Sequence, residues 1–194
     1  MDDAKRTKAK EDCEAIGTSI ARMLDDTHSK FLVLDGGGDA ASRFVEDNRV
    51  DLAISTGDIP DVGTLVNDGF AGDNIFADVT WTDQLGVGPN VDSLYDQLVS
   101  NEPAYLSPVT PYETTDPEDL TRGELGHGWR GAYLSPFVGP DPWGMRYAVN
   151  SVFLGAAVDS DNDAEEGSIK HGWTADAFCL SAGPNTVIEA DFSG

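Results

Sequence analysis

The chain has 194 residues, of which 35 are acidic and 12 are Lys or Arg, so its formal net charge at pH 7 is -23. This charge argues against nucleic acid as a partner, because a polyphosphate is bound through a basic surface. The hydrophobic fraction of 40% is enough for one folded domain with a core. Such acidity is typical of a high-salt habitat, of calcium-rich surroundings or of a requirement for solubility.

A single helix is predicted over residues 2–27, because apolar side chains recur there at helical spacing. The predicted packing face consists of Ala9, Cys13, Ile16, Ile20, Met23 and Leu24. The first two turns offer only Ala4 and Ala9 for burial, so we expect that end to project from the body. A projecting end is typical of a stalk, and we expect an upstream part of it to be missing, with Met1 as a substitute start.

Four basic side chains lie close together near the start of this predicted helix. They are Lys5, Arg6, Lys8 and Lys10. They form either a solvated helix end or, in a filament, a surface that pairs with the acidic body of a neighbouring subunit.

The region 28–122 is rich in Gly, Asp and Pro and is predicted to be a variable, irregular α/β insertion. Residues 51–55 are predicted to be a short strand or the end of a helix, and 92–100 a helix of two to three turns. Four prolines between 103 and 117 predict loop over 101–122.

The region 123–194 is predicted to be β-structure, with strands over 146–154, 175–181 and 186–189. The predicted fold class is therefore α+β, in which the N-terminal helix of residues 1–27 packs on a C-terminal antiparallel sheet. The three regions are expected to form one globular domain.

No motif of an enzyme is found in the sequence. There is no G-x-S-x-G elbow, and His28, His127 and His171 are too scattered to give a metal-ligand spacing. We therefore expect a non-catalytic protein.

Two motifs of the C-terminal region carry a resemblance to a known family. G-W-R-G-A-Y-L at 128–134 and D-P-W-G-M-R-Y at 141–147, followed by L-S-A-G-P-N at 180–185, resemble the major pseudopilin of type II secretion systems. The predicted helix resembles the second half of a pilin helix, beyond its membrane segment. The structural residues that this resemblance marks are Trp129, Asp141, Pro142, Trp143, Gly144, Tyr147, Ser181 and Gly183.

The D-P-W-G sequence suits a corner that leads into a strand. Pro142 fixes φ, Trp143 offers a large apolar surface and Gly144 permits a tight turn. We therefore expect a structural role for these residues.

The resemblance implies a pilin-like fold and a structural subunit of a type II secretion pseudopilus or a type IV pilus-like filament. Its implied partners are other subunits, bound through the N-terminal helix, with the inner-membrane secretion platform and secreted cargo as further partners. Membrane contact is implied only through a segment absent here. The implied location is the periplasmic side of the inner membrane or an extracellular filament, and this chain is expected to be soluble. The alternative is a free-standing acidic binding module, extracellular or periplasmic, that uses the middle region as its ligand surface.

Calcium is the one cofactor that the sequence suggests. The resemblance implies a Ca²⁺ site in the loop around the last strands, where Ser181, Asn185, Glu189 and Asp191 stand. A weaker candidate is the alternating acidic run of Asp159, Asp161 and Asp163, since Ca²⁺ prefers several oxygen ligands. A solvated acidic loop is the alternative for that run.

The two cysteines are Cys13, on the predicted helix face, and Cys179, in a predicted strand. They meet if the helix crosses the sheet. They form either a disulfide in an oxidising compartment or two buried free thiols.

Overall fold

A long N-terminal helix lies against a four-stranded mixed sheet, so the fold is α+β. The structure is a computed structural model that describes residues 2–27, 29, 32–33, 50, 52–62, 91–102, 112, 128–135, 139–151 and 178–188. Within these residues, no helix is both long and apolar enough to cross a bilayer.

The helix α1 spans Asp2–Thr27, which confirms the predicted bounds. Two acidic residues, Asp2 and Asp3, lie in its first turn, where they suit the positive end of the helix dipole. Four residues of the predicted face are buried and two, Cys13 and Leu24, are partly buried against the same core. Residues 2–8 are all exposed, so the buried face begins at Ala9.

The strands are short. They are β1 (Leu52–Ile54), β2 (Asp61–Val62), β3 (Val91–Ser93), β4 (Ala148–Asn150), β5 (Phe178–Leu180) and β6 (Val187–Ile188). The main sheet has the order β3-β1-β4-β5, in which β1 and β3 are parallel and the other two pairs are antiparallel. The strands β2 and β6 form a separate parallel pair.

The predicted sheet, antiparallel and confined to the C-terminal region, is wrong on both points. Two of its strands, β1 and β3, come from the middle region, and β1 occupies a central position between β3 and β4. Within the described residues, the C-terminal region contributes β4 and β5 to this sheet, and an isolated two-stranded ribbon is marginally stable in water. The middle region therefore supplies two of the four strands of this sheet, whereas the strand that packs directly on α1 is β5.

The predicted helix over 92–100 starts later than expected. Residues 91–93 pair with β1 instead, and the helical segment that follows ends as a π-helix, Asp96–Ser100. Asn101 caps it in the left-handed conformation, with φ of 58°. Asp92 is buried in the strand and accepts a hydrogen bond from the N–H of Ser93 (2.8 Å), so pairing with β1 prevails over helical periodicity there.

One row of paired residues crosses the sheet and faces α1. The register places Ala53 beside Val149 and Val149 beside Cys179, and paired residues point to the same side of a sheet. These side chains belong to, or pack against, the same core as Ile16 of α1. On the opposite side Leu52, Ala148 and Asn150 are also buried, so the middle of the sheet is covered on both faces.

A buried polar network ties the middle region together. The amide nitrogen of Gln97 donates to the carbonyl of Val33 (2.8 Å) and to Asp92 Oδ2 (2.5 Å). The hydroxyl of Tyr112 donates to Gln97 Oε1 (2.5 Å) and accepts from the N–H of Val33 (3.0 Å). Asn101 exchanges two hydrogen bonds with the backbone of Tyr112. All these groups are buried, and their mutual bonding offsets the cost of removing them from water.

Candidate functional site

The segment 141–147, here called the corner, folds around its own first residue. Oδ1 of Asp141 accepts hydrogen bonds from the N–H groups of Trp143 and Met145, both at 2.9 Å. The backbone of Asp141 also donates to the carbonyl of Met145 (2.7 Å). Gly144 has a φ of 95°, which L-residues rarely adopt. The motif therefore forms a closed turn.

The corner is bonded directly to the turn after β5. Oδ2 of Asp141 accepts from the hydroxyl of Ser181 (2.6 Å), and Ser181 Oγ in turn accepts from the N–H of Gly183 (3.2 Å). Gly183 has a φ of 71° and begins a short 3₁₀-helix, Gly183–Asn185. The structure thus brings together Asp141, Ser181 and Gly183, three of the residues that the resemblance marks. Asp141 and Ser181 are 40 positions apart in the chain.

The corner also contacts the N-terminal half of α1. The hydroxyl of Tyr147 donates to Asp12 Oδ2 at 2.9 Å. Burial, followed by this hydrogen bond, raises the pKa of Tyr147, so the phenol remains a protonated donor at physiological pH. The ammonium of Lys5 lies 5.8 Å from the ring centroid of Trp143, within the range of a cation–π contact.

Two of the four basic side chains near the start of α1 pair within the helix. Lys8 forms an ion pair with Asp12, and Lys10 lies 3.7 Å from Glu14, each one helical turn away. Both lysines are exposed, so solvent screens these pairs and they add little to the stability of the helix.

Sequence reasoning did not identify Gly57 as a contact of the corner. Gly57 has a φ of 139°, and its carbonyl accepts from Nε of Arg146 (2.9 Å). The next residue, Asp58, donates its N–H to the carbonyl of Gly144 and accepts from the N–H of Arg146, both at 2.9 Å. The T-G-D turn sequence that follows β1 is the signal that could have found it.

The segment 128–134, here called the strap, crosses the C-terminal half of α1. The N–H of Gly128 donates to the carbonyl of Asp26 (2.6 Å), and the hydroxyl of Ser19 donates to the carbonyl of Tyr133 (3.0 Å). Arg130 lies 3.5 Å from Asp26 Oδ1. The last turn of α1 carries no basic residue, so Arg130 supplies positive charge near the negative end of the helix dipole.

Aromatic packing holds the strap in place. Trp129 is buried, stacks on Tyr112 with ring centroids 6.0 Å apart, and meets Tyr133 edge-on at 4.8 Å. The guanidinium of Arg22 lies 5.9 Å from the ring centroid of Tyr133. Trp129 therefore occupies an internal packing position in the structure.

The two cysteines meet between α1 and β5. Both are thiols here, both are partly buried, and they share a hydrogen bond. That bond lowers the pKa of Cys13, while the same bond, reinforced by burial, raises the pKa of Cys179 well above its usual range.

The calcium candidates are only partly described. Ser181 donates its hydroxyl to Asp141, and Asn185 is exposed at the end of the 3₁₀-helix. Within the described part of the chain, no group of three or more His, Cys, Asp or Glu could hold a metal ion. The remaining candidates lie outside the described residues: Glu189, Asp191, Asp159, Asp161 and Asp163.

Comparisons of the chain with protein-family models, with curated proteins and with solved structures find no match. The function proposed below therefore rests on the corner, the strap and the way in which both hold α1.

Proposed function

We propose that the chain is the body of a pilin-like subunit, of the type II secretion pseudopilus or type IV pilus-like class, and that it acts by assembly rather than catalysis. One observation carries the proposal: the two motifs behind the resemblance hold the two halves of the same helix. The corner contacts α1 at Asp12, and the strap contacts it at Ser19 and Asp26.

This arrangement suits a helix that transmits load to a folded body. At about 1.5 Å per residue, the 26 residues of α1 extend about 39 Å. Burial starts at Ala9, which leaves residues 2–8 exposed as a surface for a neighbouring copy. A subunit that is pulled or stacked through this end needs the rest of the helix fixed to the sheet, and the corner and the strap supply that fixation.

Charge also supports association between copies. The exposed residues 2–8 carry three basic side chains, Lys5, Arg6 and Lys8, against the two acidic residues Asp2 and Asp3, so this end is weakly positive, whereas the chain as a whole has a net charge of -23. A basic end on one copy is complementary to the acidic body of the next. The proposed partners are other subunits of the filament, with the inner-membrane secretion platform and cargo as further partners, on the periplasmic side or outside the cell.

The test is photocrosslinking in the cells that carry the native gene. A photoreactive amino acid replaces Ala4, in the exposed start of α1, and in a second strain it replaces Ala132, which is exposed on the strap. We expect Ala4 to give adducts at multiples of the subunit mass in the sheared filament fraction, and Ala132 to give markedly fewer.

The opposing outcomes are distinct. Absence of the protein from the filament fraction, together with no self-adduct from Ala4, would contradict the proposal. Adducts to a single protein of another mass would favour an acidic binding module instead. Alone, this chain is expected to sediment as a monomer, and a stable filament formed from it would contradict that expectation.

A further inference from the structure

We propose that Cys13 and Cys179 form a reversible intramolecular disulfide that fastens α1 to the edge strand β5 of the main sheet. The inference goes beyond the proposed function and does not depend on it.

Placement brings the two sulfurs together. Cys13 lies on the buried face of α1 between Ala9 and Ile16, and β5 packs against this helix. Cys179 is paired with Val149, whose side chain is in the core that α1 covers. Both cysteines pack against the same core at the contact between α1 and β5, and each thiol shifts the pKa of the other, which places the two sulfurs as neighbours for an S–S bond of about 2.05 Å.

The surroundings assign different roles to the two thiols. The hydrogen bond from Cys179 favours the thiolate of Cys13 by lowering its pKa, although the nearby charges of Asp12 and Asp141 oppose this effect. The pKa of Cys179 is raised by the same contact and by burial. Because the thiolate is the attacking species and Cys13 is the less deeply buried of the two thiols, Cys13 reacts first and Cys179 resolves.

The reaction needs a disulfide oxidant, and glutathione disulfide balances it. The Cys13 thiolate attacks one sulfur of glutathione disulfide, which breaks that S–S bond and releases one glutathione thiolate. Cys179 loses its proton to solvent and attacks Sγ of Cys13, which releases the second glutathione. Two protein thiols are oxidised and one glutathione disulfide is reduced, so the pair remains reduced in a cytosol-like poise and closes in an oxidising compartment.

The closed loop is long, because it joins residue 13 to residue 179. A crosslink across a loop of this size restricts the unfolded chain strongly. In the folded chain the disulfide links α1 covalently to β5. This link lies next to Asp12, where the corner is hydrogen-bonded to the same half of α1. Oxidation therefore fixes the helix more firmly against the sheet without a change of fold.

The test uses the intact 194-residue chain. Reduced protein is incubated under native conditions with glutathione disulfide, quenched in acid, unfolded and alkylated for mass spectrometry. We expect loss of both titratable thiols and of two hydrogen atoms in a monomer that carries no glutathione. We also expect the thermal midpoint of the oxidised protein to exceed that of the reduced protein by about 5 °C or more.

Single variants serve as matched controls. Cys13→Ser and Cys179→Ser each retain one thiol, so each is expected to take up one glutathione and to show no comparable rise in thermal midpoint. The roles are tested in the reduced parent chain, where brief treatment with iodoacetamide at pH 7 is expected to alkylate Cys13 several-fold faster than Cys179, as measured by peptide mapping. Two thiols that persist in the parent chain, a stable glutathione adduct there, or a disulfide-linked dimer would each overturn the proposal, and the reverse order of rates would overturn the role of Cys13.

Discussion

A single carboxylate, that of Asp141, joins two segments of the chain that are far apart in sequence. It is only 3% exposed, and its two oxygens accept hydrogen bonds from two backbone amides and from the hydroxyl of Ser181. Hydrogen bonds to a charged acceptor are roughly twice as strong as neutral ones. This side chain therefore fixes both the conformation of the corner and its attachment to the turn after β5.

Replacement of Asp141 by Ala is expected to lower the free energy of unfolding by about 2–3 kcal/mol, because the amides of Trp143 and Met145 lose their acceptor in a buried site. Ser181→Ala removes one of the contacts and is expected to cost about 1 kcal/mol. Asp25→Ala, at an exposed position of α1, serves as the control and is expected to change stability by less than about 0.5 kcal/mol. Urea unfolding measures all three, and a loss at Asp141 no larger than that at Asp25 would contradict this account.

Asp96 is a second carboxylate with a definite electrostatic environment. Burial raises its pKa from 3.8 to about 6, and the charges of Asp92 and Glu102 add to this effect. The folded chain therefore holds this proton more tightly than the unfolded chain does. Ionisation of Asp96 consequently opposes folding, by an amount that grows between about pH 4 and pH 6 and is constant above it.

Asp96→Asn is expected to stabilise the protein at pH 7.5 by about 1 kcal/mol and to have no such effect near pH 4. The gain is smaller than the full pKa shift implies, because Asp96 is only half-buried and solvent screens its charge. Urea unfolding of parent and variant in the same buffer series from pH 4 to pH 8 measures the difference. Glu102→Gln, an exposed neighbour, is the control and is expected to give a smaller gain. A difference that is independent of pH would refute the argument.

At the scale of elements, the corner and the strap determine where α1 lies. The corner packs on the turn after β1, where the backbone of Asp58 donates a hydrogen bond to the carbonyl of Gly144 and accepts one from the N–H of Arg146. Gly57, in the turn after β1, and Gly17, in α1, differ in the space available for a side chain. A Cβ on Gly57 would lie 2.9 Å from backbone atoms of residues 144–146, whereas a Cβ on Gly17 of α1 would meet nothing within 4 Å.

Gly57→Ala is therefore expected to destabilise the protein by about 2–4 kcal/mol, since it combines a backbone clash with an unfavourable φ. Gly17→Ala is the matched control with the opposite sign. It is expected to stabilise the protein by about 0.5–1 kcal/mol, because alanine is the better helix former and has room there. Thermal and urea unfolding check both, and equal effects from the two substitutions would show that the corner does not press on Gly57.

At the scale of the whole molecule, the net charge of -23 works against the compact state. Like charges on a folded surface repel one another more strongly than they do in the expanded chain. Dissolved salt screens this repulsion, and the screening length falls from about 10 Å at 0.1 M to about 3 Å at 1 M. Stability is therefore coupled to ionic strength.

The thermal midpoint at pH 7 is expected to rise by about 5 °C or more between 0.1 M and 1 M sodium chloride, as a few kcal/mol of repulsion is screened. The control is the same series near pH 4, where carboxyl groups with ordinary pKa values are about half protonated and the rise is expected to shrink. A midpoint that stays constant or falls with salt at pH 7 would show that repulsion does not limit the stability of this chain.

Sequence alone determined the bounds of α1 and its buried face, because helical spacing of apolar residues is a local signal that survives without any partner. It also located the segments that contain β4, β5 and β6. Only the tertiary structure could decide the sheet order. The central position of β1, and the strand conformation of residues 91–93, follow from pairing between segments far apart in the chain.

The candidate site divides in the same way. The motifs at 128–134 and 141–147 were found from the sequence through their resemblance to a known family, which needs only residues that are close together in the chain. Three contacts depend on how α1, the turn after β1 and β5 are brought together. They are the hydrogen bond between Asp141 and Ser181, the contact of Gly57 with the corner, and the contact between Cys13 and Cys179. A local pattern specifies which side chains a segment offers, but long-range pairing and packing determine which of them meet.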